Sequence, residues 1–370
     1  MNPTPAYAWN SLPGLALIAL GLVSIVLMVA WWRGGLRRKS RTQRVAALAG
    51  LTLFLCFDLV VFGAYTRLSD SGLGCPDWPG CYATSSPVAA AEHIAHAQSL
   101  APEGPVTEKK AWIEMIHRYF AGALGILIAL MLAAAVVSRD RRARLLIGLT
   151  LAWYIGQAFF GALTVTWKLY PAIVTGHLLG GMGLLALLAV QAPARADATS
   201  RAPRNAFDRW ALGLAALALL LQIALGWVST NYAVLACTGF PQCNGQWWPA
   251  MNWPEGFTLA RELGRRADGA PIAMTALVAI QWTHRLFAVV FTVAMGWLVA
   301  RLWKRGRPAR RAAAIIAVVV VIQWATGLSN VVLGWPLVAA LAHTAGAAAL
   351  VICIGFEVAA ALNSRTRVSS

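Results

Sequence analysis

The stretch WIEMIHRYFAG, residues 112–122, determines how the rest of the chain is interpreted. It places Glu114, His117 and Arg118 at the beginning of a long apolar run. Ionisable side chains are costly at a membrane boundary and are commonly functional there. Because Glu114 and His117 are three residues apart, they lie on the same face of a helix. The sequence therefore predicts a functional site at the start of this helix.

The composition is typical of a polytopic all-α membrane protein. Of the 370 residues, 59% are hydrophobic and only 12% are charged, whereas a soluble protein of this length carries far more charge. The net charge is +17, but the basic residues lie in short bursts between apolar runs. This pattern favours the positive-inside rule over nucleic-acid binding, so we expect contact with membrane lipid and no nucleic-acid partner.

Nine apolar segments are long enough to cross about 30 Å of hydrocarbon as helices. They lie near residues 12–32, 45–66, 113–138, 144–166, 170–192, 210–230, 274–300, 311–333 and 337–362. Four basic stretches fall on one side if these segments alternate, at residues 33–44, 139–144, 195–209 and 301–311. We therefore expect the N-terminus outside and the C-terminus in the cytoplasm.

The second part of the chain repeats the landmarks of the first. The stretch AIQWTHRLFA, residues 279–288, resembles the opening motif, and rare residues recur at offsets of 162 to 167. The matched pairs are His117 with His284, His177 with His343, Cys75 with Cys237, and Cys81 with Cys243. So many coincidences indicate an internal duplication. An even number of helices in each repeat preserves orientation, which predicts a pseudo-twofold axis along the membrane normal.

This duplication predicts two tandem four-helix bundles and one extra transmembrane helix before them. The predicted order is an accessory N-terminal helix with its basic loop (1–44), a first four-helix half (45–192), a cytoplasmic linker (193–209), a second four-helix half (210–362) and a cytoplasmic tail (363–370).

Each of the two long outer loops begins with a pair of cysteines. The sequences are GCPDWPGC (74–81) and ACTGFPQC (236–243). The spacing does not match a zinc ribbon, and no second Cys/His pair follows closely enough to complete a tetrahedral site. In an oxidising compartment such pairs form disulfides, here Cys75–Cys81 and Cys237–Cys243. Free thiols are the alternative, and a disulfide could serve either as a staple or in redox exchange with an outside partner.

Four histidines occupy duplicated positions inside apolar segments, at matched depth near the outer ends. A lone membrane histidine usually only bonds a neighbouring helix, but the duplication favours two pairs, His117 with His177 and His284 with His343. Two imidazoles on neighbouring helices can ligate heme iron from both faces. Copper or zinc fits less well, because neither half offers a third soft ligand at membrane depth.

The residues beside these histidines add two expectations. Arg118 and Arg285 follow their histidines directly and are candidate partners for heme propionates, although snorkelling to the interface is the alternative.

Glu114 corresponds to Gln281, so the first half has a titratable carboxylate where the second has an amide. Because only the acid can exchange protons and stabilise a cation, this asymmetry predicts chemistry in the first half and a fixed redox cofactor in the second.

Four further polar residues have no assigned role. His93 and His96 are three apart in the first outer loop and could share a metal, but a solvated helix face is the favoured interpretation. Asp58 and Glu357 lie inside predicted helices, where each could pair with an arginine or face a cavity.

Five motifs, in this order, resemble heme A synthase of the bacterial and mitochondrial type. They are GAYTRLSDSGLGCPDWPGC (63–81), EMIHRY (114–119), GHLLGG (176–181), THRLFA (283–288) and AHTAGA (342–347). The resemblance covers about residues 45–362, so the helix at 12–32 departs from the family's usual eight-helix core.

The resemblance implies an oxidoreductase of the bacterial inner membrane that oxidises the C8 methyl group of heme O to a formyl group by successive hydroxylations. The product is heme A for cytochrome oxidase. His117 and His177 then flank the heme O site, with Glu114 as the catalytic acid. His284 and His343 ligate a resident heme b, and Cys75 and Cys81 form the outer-loop pair. Expected partners are heme O synthase, cytochrome oxidase assembly factors, an unidentified electron partner and a second copy of the chain.

Two other functions fit part of the pattern. A bis-heme b-type electron carrier needs the same four histidines but has no use for Glu114. A duplicated transporter without heme would share the repeat alone.

Overall fold

The computed structural model describes residues 9–32, 41–138, 141–191 and 205–368. These residues form helices and loops, and no strand is found among them beyond isolated bridges such as Cys81 with Thr84. The predicted all-α class is confirmed.

The helices follow the apolar runs of the sequence closely. They are α1 (Leu12–Trp32), α2 (Arg41–Leu68), α3 (Ala91–Leu100), α4 (Glu108–Ser138), α5 (Arg141–Thr166), α6 (Pro171–Gln191), α7 (Ala206–Ala224), α8 (Trp227–Thr230), α9 (Trp253–Gly256), α10 (Met274–Trp303), α11 (Arg307–Val332) and α12 (Leu337–Val368). Over the described part of the chain, nine spans are long and apolar enough to cross a membrane, with α7 and α8 together forming one of them. The predicted polytopic membrane protein is therefore confirmed.

Several helices continue past the ends of the predicted segments. α4 begins at Glu108 rather than near residue 113, and α12 reaches Val368 rather than residue 362. A hydropathy pattern detects only the part of a helix that suits hydrocarbon. Beyond that part, the helix continues into polar surroundings because its backbone N–H and C=O groups still form hydrogen bonds with one another.

The chain divides into two compact units, residues 1–169 and 170–370. In the first unit α4 is central, because α1, α2, α3 and α5 each pack against it. Tyr154 of α5 donates a 2.8 Å hydrogen bond to the carbonyl of Ala121 on α4. A Cβ atom at Gly125 would lie 2.5 Å from the Tyr154 hydroxyl, so only glycine permits this approach. The helix that carries Glu114 and His117 is thus held on several sides.

The extra helix α1 is an integral part of the first unit. Its Val23 is 3% exposed and packs in one apolar cluster with Ala123 of α4. Just before its first residue, the ring of Trp9 meets Trp78 edge-on with centroids 5.6 Å apart. Helix α1 therefore contacts both α4 and the outer loop that contains the first cysteine pair.

In the second unit, α10 packs against α7 and α11, while α12 packs against α6, α7 and α11. Asp208 near the start of α7 accepts hydrogen bonds from Arg301 at 2.8 Å and Arg305 at 2.9 Å near the end of α10. This ion cluster joins the two helices at one end of the unit. The sequence repeat assigns α6 to the first half, whereas packing groups it with the second unit, and the repeat-based domain boundaries stay a prediction.

Candidate functional site

The second unit brings two of the predicted histidines together. His284 on α10 and His343 on α12 are half-buried, and their ring centroids are 6.5 Å apart with planes inclined by 56°. Two imidazoles that bind one metal ion from opposite sides have ring centres about 6 to 6.5 Å apart, given metal–nitrogen distances of about 2 Å. The observed separation matches this arrangement.

The hydrogen bonds of the two rings leave the same nitrogen available on each. Nδ1 of His284 lies 3.0 Å from the carbonyl oxygen of Leu225, which can only accept. Nδ1 of His343 lies 3.0 Å from the hydroxyl of Thr326, whose own hydrogen is donated to the carbonyl of Ile322. Both Nδ1 atoms therefore carry the proton, and both Nε2 atoms keep the lone pair that a metal requires.

Glutamine side chains beside this pair are left with unused acceptors. The amide nitrogen of Gln222 lies 3.2 Å from Nε2 of His284, so this contact would have to be given up for Nε2 to bind a metal. The side-chain oxygens of Gln222 and Gln323 are buried, and neither has a hydrogen-bond partner among the described residues. Such unsatisfied groups are unusual in native proteins and indicate a bound molecule or water.

The donor set also agrees with a heme rather than a bare metal ion. In the described ranges, no group of three or more His, Cys, Asp or Glu side chains could hold a metal. A porphyrin supplies four nitrogens of its own, so two axial histidines suffice. Gly327 of α11 leaves room for one of them, since a Cβ atom there would lie 3.2 Å from Cε1 of His343.

His117 occupies the corresponding place on α4 of the first unit. Its ring stacks on Phe62 of α2, with centroids 6.3 Å apart and planes inclined by 13°. A Cβ atom at the neighbouring Gly63 would lie 3.0 Å from Nε2 of His117. His177 lies on α6 in the second unit, and its pairing with His117 stays a prediction.

Glu114 is one turn before His117 and is 4% exposed. Its carboxylate accepts a hydrogen bond from the backbone N–H of Cys75 at 2.7 Å and pairs with the Arg118 guanidinium at 2.5 Å. A buried carboxylate with two such donors is fixed in position. The group that the sequence predicts to be catalytic is thus also attached to the first outer loop.

The two arginines that follow the histidines bind the outer loops. Arg118 donates to the carbonyls of Asp77 at 2.9 Å and Pro79 at 3.2 Å, and also to that of Gly80. In the second unit, Arg285 donates to the carbonyls of Gln242 at 3.1 Å and Cys237 at 3.0 Å. Each guanidinium therefore anchors the segment enclosed by a cysteine pair, and the propionate contacts expected for them stay a prediction.

Both predicted disulfides are present. Cys75 is bonded to Cys81 and Cys237 to Cys243, and all four residues are 0% exposed. Their burial favours the structural role, because an exchange partner would need access to the sulfur atoms.

The two units differ in how the residues Glu114 and Gln281 are bonded. Gln281 is 3% exposed, like Glu114, but its side-chain oxygen is buried without a hydrogen-bond partner in the described part of the chain. The amide thus takes no part in holding the second loop, and only the first unit has a buried negative charge at this position.

The four unassigned polar residues differ in their exposure. His93 and His96 are exposed on α3, where the His93 ring stacks on Tyr82 with centroids 5.3 Å apart. Asp58 is exposed on α2, and Glu357 is buried on α12.

Sequence reasoning missed Thr326 and Gln222, which surround the second-unit histidines. Gln222 is isolated in an apolar run, and that pattern is the signal that could have identified it, whereas Thr326 does not stand out from the nearby polar residues Gln323, Ser329 and Asn330. Leu225 contributes only a backbone carbonyl, and no side-chain pattern indicates such a role.

Comparisons with known proteins identify the family of the chain. The model of the COX15-CtaA family, described as cytochrome oxidase assembly protein, matches residues 46–354. The chain is 35% identical over 313 residues to a heme A synthase of Shewanella oneidensis, covering 83% of this chain and 93% of that protein. It is 25% identical over 303 residues to a heme A synthase of Halalkalibacterium halodurans, covering 80% and 87% respectively.

The family match includes all four histidines, both cysteine pairs and Glu114, and begins after α1. Because it spans most of the sequence, the chain belongs to the COX15-CtaA family of cytochrome oxidase assembly proteins.

Proposed function

We propose that this protein is a heme A synthase, an oxidoreductase that converts the C8 methyl group of heme O to a formyl group and so provides heme A for cytochrome oxidase. The relatives from Shewanella oneidensis and Halalkalibacterium halodurans carry that name. The observation that carries the proposal is the pair His284 and His343, whose separation and hydrogen bonds suit two axial ligands.

The resident group in the second unit is heme b in this proposal. His284 and His343 would hold its iron through their Nε2 atoms, while Leu225 and Thr326 fix the ring orientations. When bound, the heme supplies one-electron redox chemistry.

The first half of the duplication receives the substrate in this proposal. His117 would bind the iron of heme O, and the duplication adds His177 as its partner. Glu114 lies on the same helix face as His117. Its fixed negative charge would stabilise positive charge that develops as the methyl group is oxidised. Because hydrogen bonds from Cys75 and Arg118 already hold the carboxylate, it need not reorient during the reaction.

The orientation follows from the two ends of α10. Arg285 near its beginning binds the loop enclosed by Cys237 and Cys243, and Arg301 lies near its end. Disulfides form in an oxidising compartment and basic residues collect on the cytoplasmic side. This supports a protein of the bacterial inner membrane with the N-terminus outside and the C-terminus in the cytoplasm.

Pigment analysis tests the proposal. Cells that make heme O but lack their own heme A synthase are given this chain, and extracted hemes are separated by chromatography. We expect heme A to appear together with a low-spin b-type spectrum of the purified protein. A b-type spectrum with heme O left unconverted would instead indicate the electron carrier, and a protein without visible absorption would indicate the transporter.

A further inference from the structure

Arg261, in the loop between α9 and α10, is a buried cation that forms no ion pair with a carboxylate in the described part of the chain. The residue is 2% exposed. Its guanidinium donates to the side-chain oxygen of Asn231, lies 5.5 Å from the ring centroid of Trp227, and approaches the carbonyl of Arg265 at 3.5 Å. Its Nε atom is buried and has no hydrogen-bond partner in the described ranges.

The acidic residues of this loop are used elsewhere. Glu262 pairs with Arg265 and Asp268 with Arg266, both at the exposed surface. Glu255 accepts from the side-chain amide of Asn252 and from the backbone of Ala273, each at 2.8 Å.

Of the three loop arginines, only Arg261 is left without an ion pair in the part of the chain that the structure describes. A buried charge is strongly destabilising unless it is paired and fully hydrogen-bonded. Glu255 lies near enough to attract Arg261 electrostatically, but its carboxylate makes no ion pair with it, so the guanidinium has no directly bonded anion in the described ranges.

The position of Arg261 relates it to the histidine pair. It contacts Trp227 and Asn231 in the segment 225–231, which follows α7 and includes α8. Within this segment Asn231 donates to the carbonyl of Trp227 at 2.8 Å, and the Leu225 carbonyl holds Nδ1 of His284 at 3.0 Å. The cation thus contacts the same short segment whose Leu225 carbonyl orients His284.

We infer that Arg261 binds a propionate carboxylate of the heme held by His284 and His343. This assignment rests on the proposed function. A planar guanidinium with a free Nε–H suits a carboxylate. Arg285 has the same free Nε–H, but its two terminal nitrogens donate to loop carbonyls at 3.1 Å and 3.0 Å, whereas one terminal nitrogen of Arg261 meets only the carbonyl of Arg265 at 3.5 Å.

The test compares Arg261→Gln and Arg261→Lys with a matched control, Arg266→Gln, in the same loop but exposed. Two properties of the purified holoprotein are measured: the rate of heme loss to excess apomyoglobin and the midpoint potential of the b-type heme. We expect Arg261→Gln to lose heme at least tenfold faster. We also expect a lower midpoint potential, by about 59 mV for each tenfold change in the ferric–ferrous equilibrium.

The lysine variant retains the positive charge but lacks the planar guanidinium group, which can donate two parallel hydrogen bonds to a carboxylate. We expect it to lose heme faster than the wild type while its midpoint potential stays closer to the wild type than that of the glutamine variant. The Arg266→Gln control should match the wild type in both measurements.

Several outcomes overturn the inference. One is a folded Arg261→Gln protein whose rate of heme loss and midpoint potential equal those of the wild type. A lower melting temperature would not rescue the inference, because an arginine that only stabilises the loop would also produce it. If the glutamine variant does not fold, the lysine variant provides the test. A lysine variant with the heme-loss rate and midpoint potential of the wild type would reject the contact between Arg261 and the propionate. A wild-type protein without b-type heme would instead reject the proposed function, and this inference with it.

Discussion

The backbone N–H of Cys75 donates a 2.7 Å hydrogen bond to the carboxylate of Glu114, 39 residues later in the chain. The same carboxylate pairs with Arg118, which in turn binds carbonyls inside the Cys75–Cys81 loop. The outer loop and the start of α4 therefore form one hydrogen-bonded assembly one helical turn from His117. Any change in Glu114 acts on this assembly as well as on bound substrate.

Replacing Glu114 with Gln should stop or stall heme O oxidation. The amide keeps the shape of the side chain but removes the negative charge, and loss of a fixed charge of this kind reduces turnover by roughly 100-fold or more. We expect folded protein with its resident b-type heme and with unreacted or half-oxidised heme O, measured by chromatography of extracted pigments.

The control is Glu108→Gln, an exposed carboxylate in the first turn of the same helix. It should produce heme A at the wild-type level. Normal heme A production by a stable Glu114→Gln protein would mean that the carboxylate serves only to hold the loop.

Replacing His284 or His343 with Ala should remove the low-spin b-type signal. Each substitution deletes one of two imidazoles that lie 6.5 Å apart and present their Nε2 atoms. Reduced-minus-oxidised spectra and pyridine hemochrome analysis measure the loss. His93→Ala, on the exposed surface of α3, is the control and should keep the full signal. If both ligand variants retain a normal low-spin spectrum, the assignment is wrong.

Peptide mapping without reductant should find the Cys75–Cys81 and Cys237–Cys243 links, with Cys56 and Cys353 as thiols. Because the loop carbonyls are also bound by Arg118, Cys75→Ala should loosen the first loop without releasing it. Limited proteolysis and heme A yield measure the effect. Undiminished heme A output from Cys75→Ala would make the first disulfide a dispensable staple.

Replacing Asp208 with Asn should destabilise the second unit without changing its heme spectrum. Asp208 is 3% exposed and compensates two guanidinium groups, one of which, Arg305, is itself buried. Breaking a buried ion pair costs about 3 to 5 kcal/mol, and the 27% exposure of the Arg301 side chain favours the lower end.

Thermal unfolding in detergent measures this loss. Asp268→Asn is the control, since its side chain is 60% exposed and pairs at the surface, where such contacts contribute about 0 to 1 kcal/mol. Equal melting temperatures for the two variants would contradict the role assigned to the Asp208 cluster.

The sequence predicted the features that depend on chain-wide patterns. Apolar run length identified the membrane spans, and the duplication singled out His284 and His343 before their proximity was known. The cysteine pairs were predictable because their partners are six residues apart.

Contacts between distant polar residues were not predictable. Asp208 and Arg301 are 93 residues apart, and nothing in their local sequence specifies the pairing. Arg118 and Arg285 were recognised, but spacing alone could not show that backbone carbonyls are their acceptors. The burial of Arg261 was not predictable either, because it depends on the conformation of the loop, and the hydropathy of the sequence does not determine that conformation.

The packing of α1 has a practical consequence for anyone producing the protein. This helix lies before the family match, so it invites truncation or an N-terminal affinity tag. Yet Val23 is buried with Ala123 of α4, and Trp9 meets Trp78 beside the first disulfide. Trimming to the family boundary would uncover the face of α4 behind Glu114 and His117. A purification handle is therefore better placed at the other end of the chain.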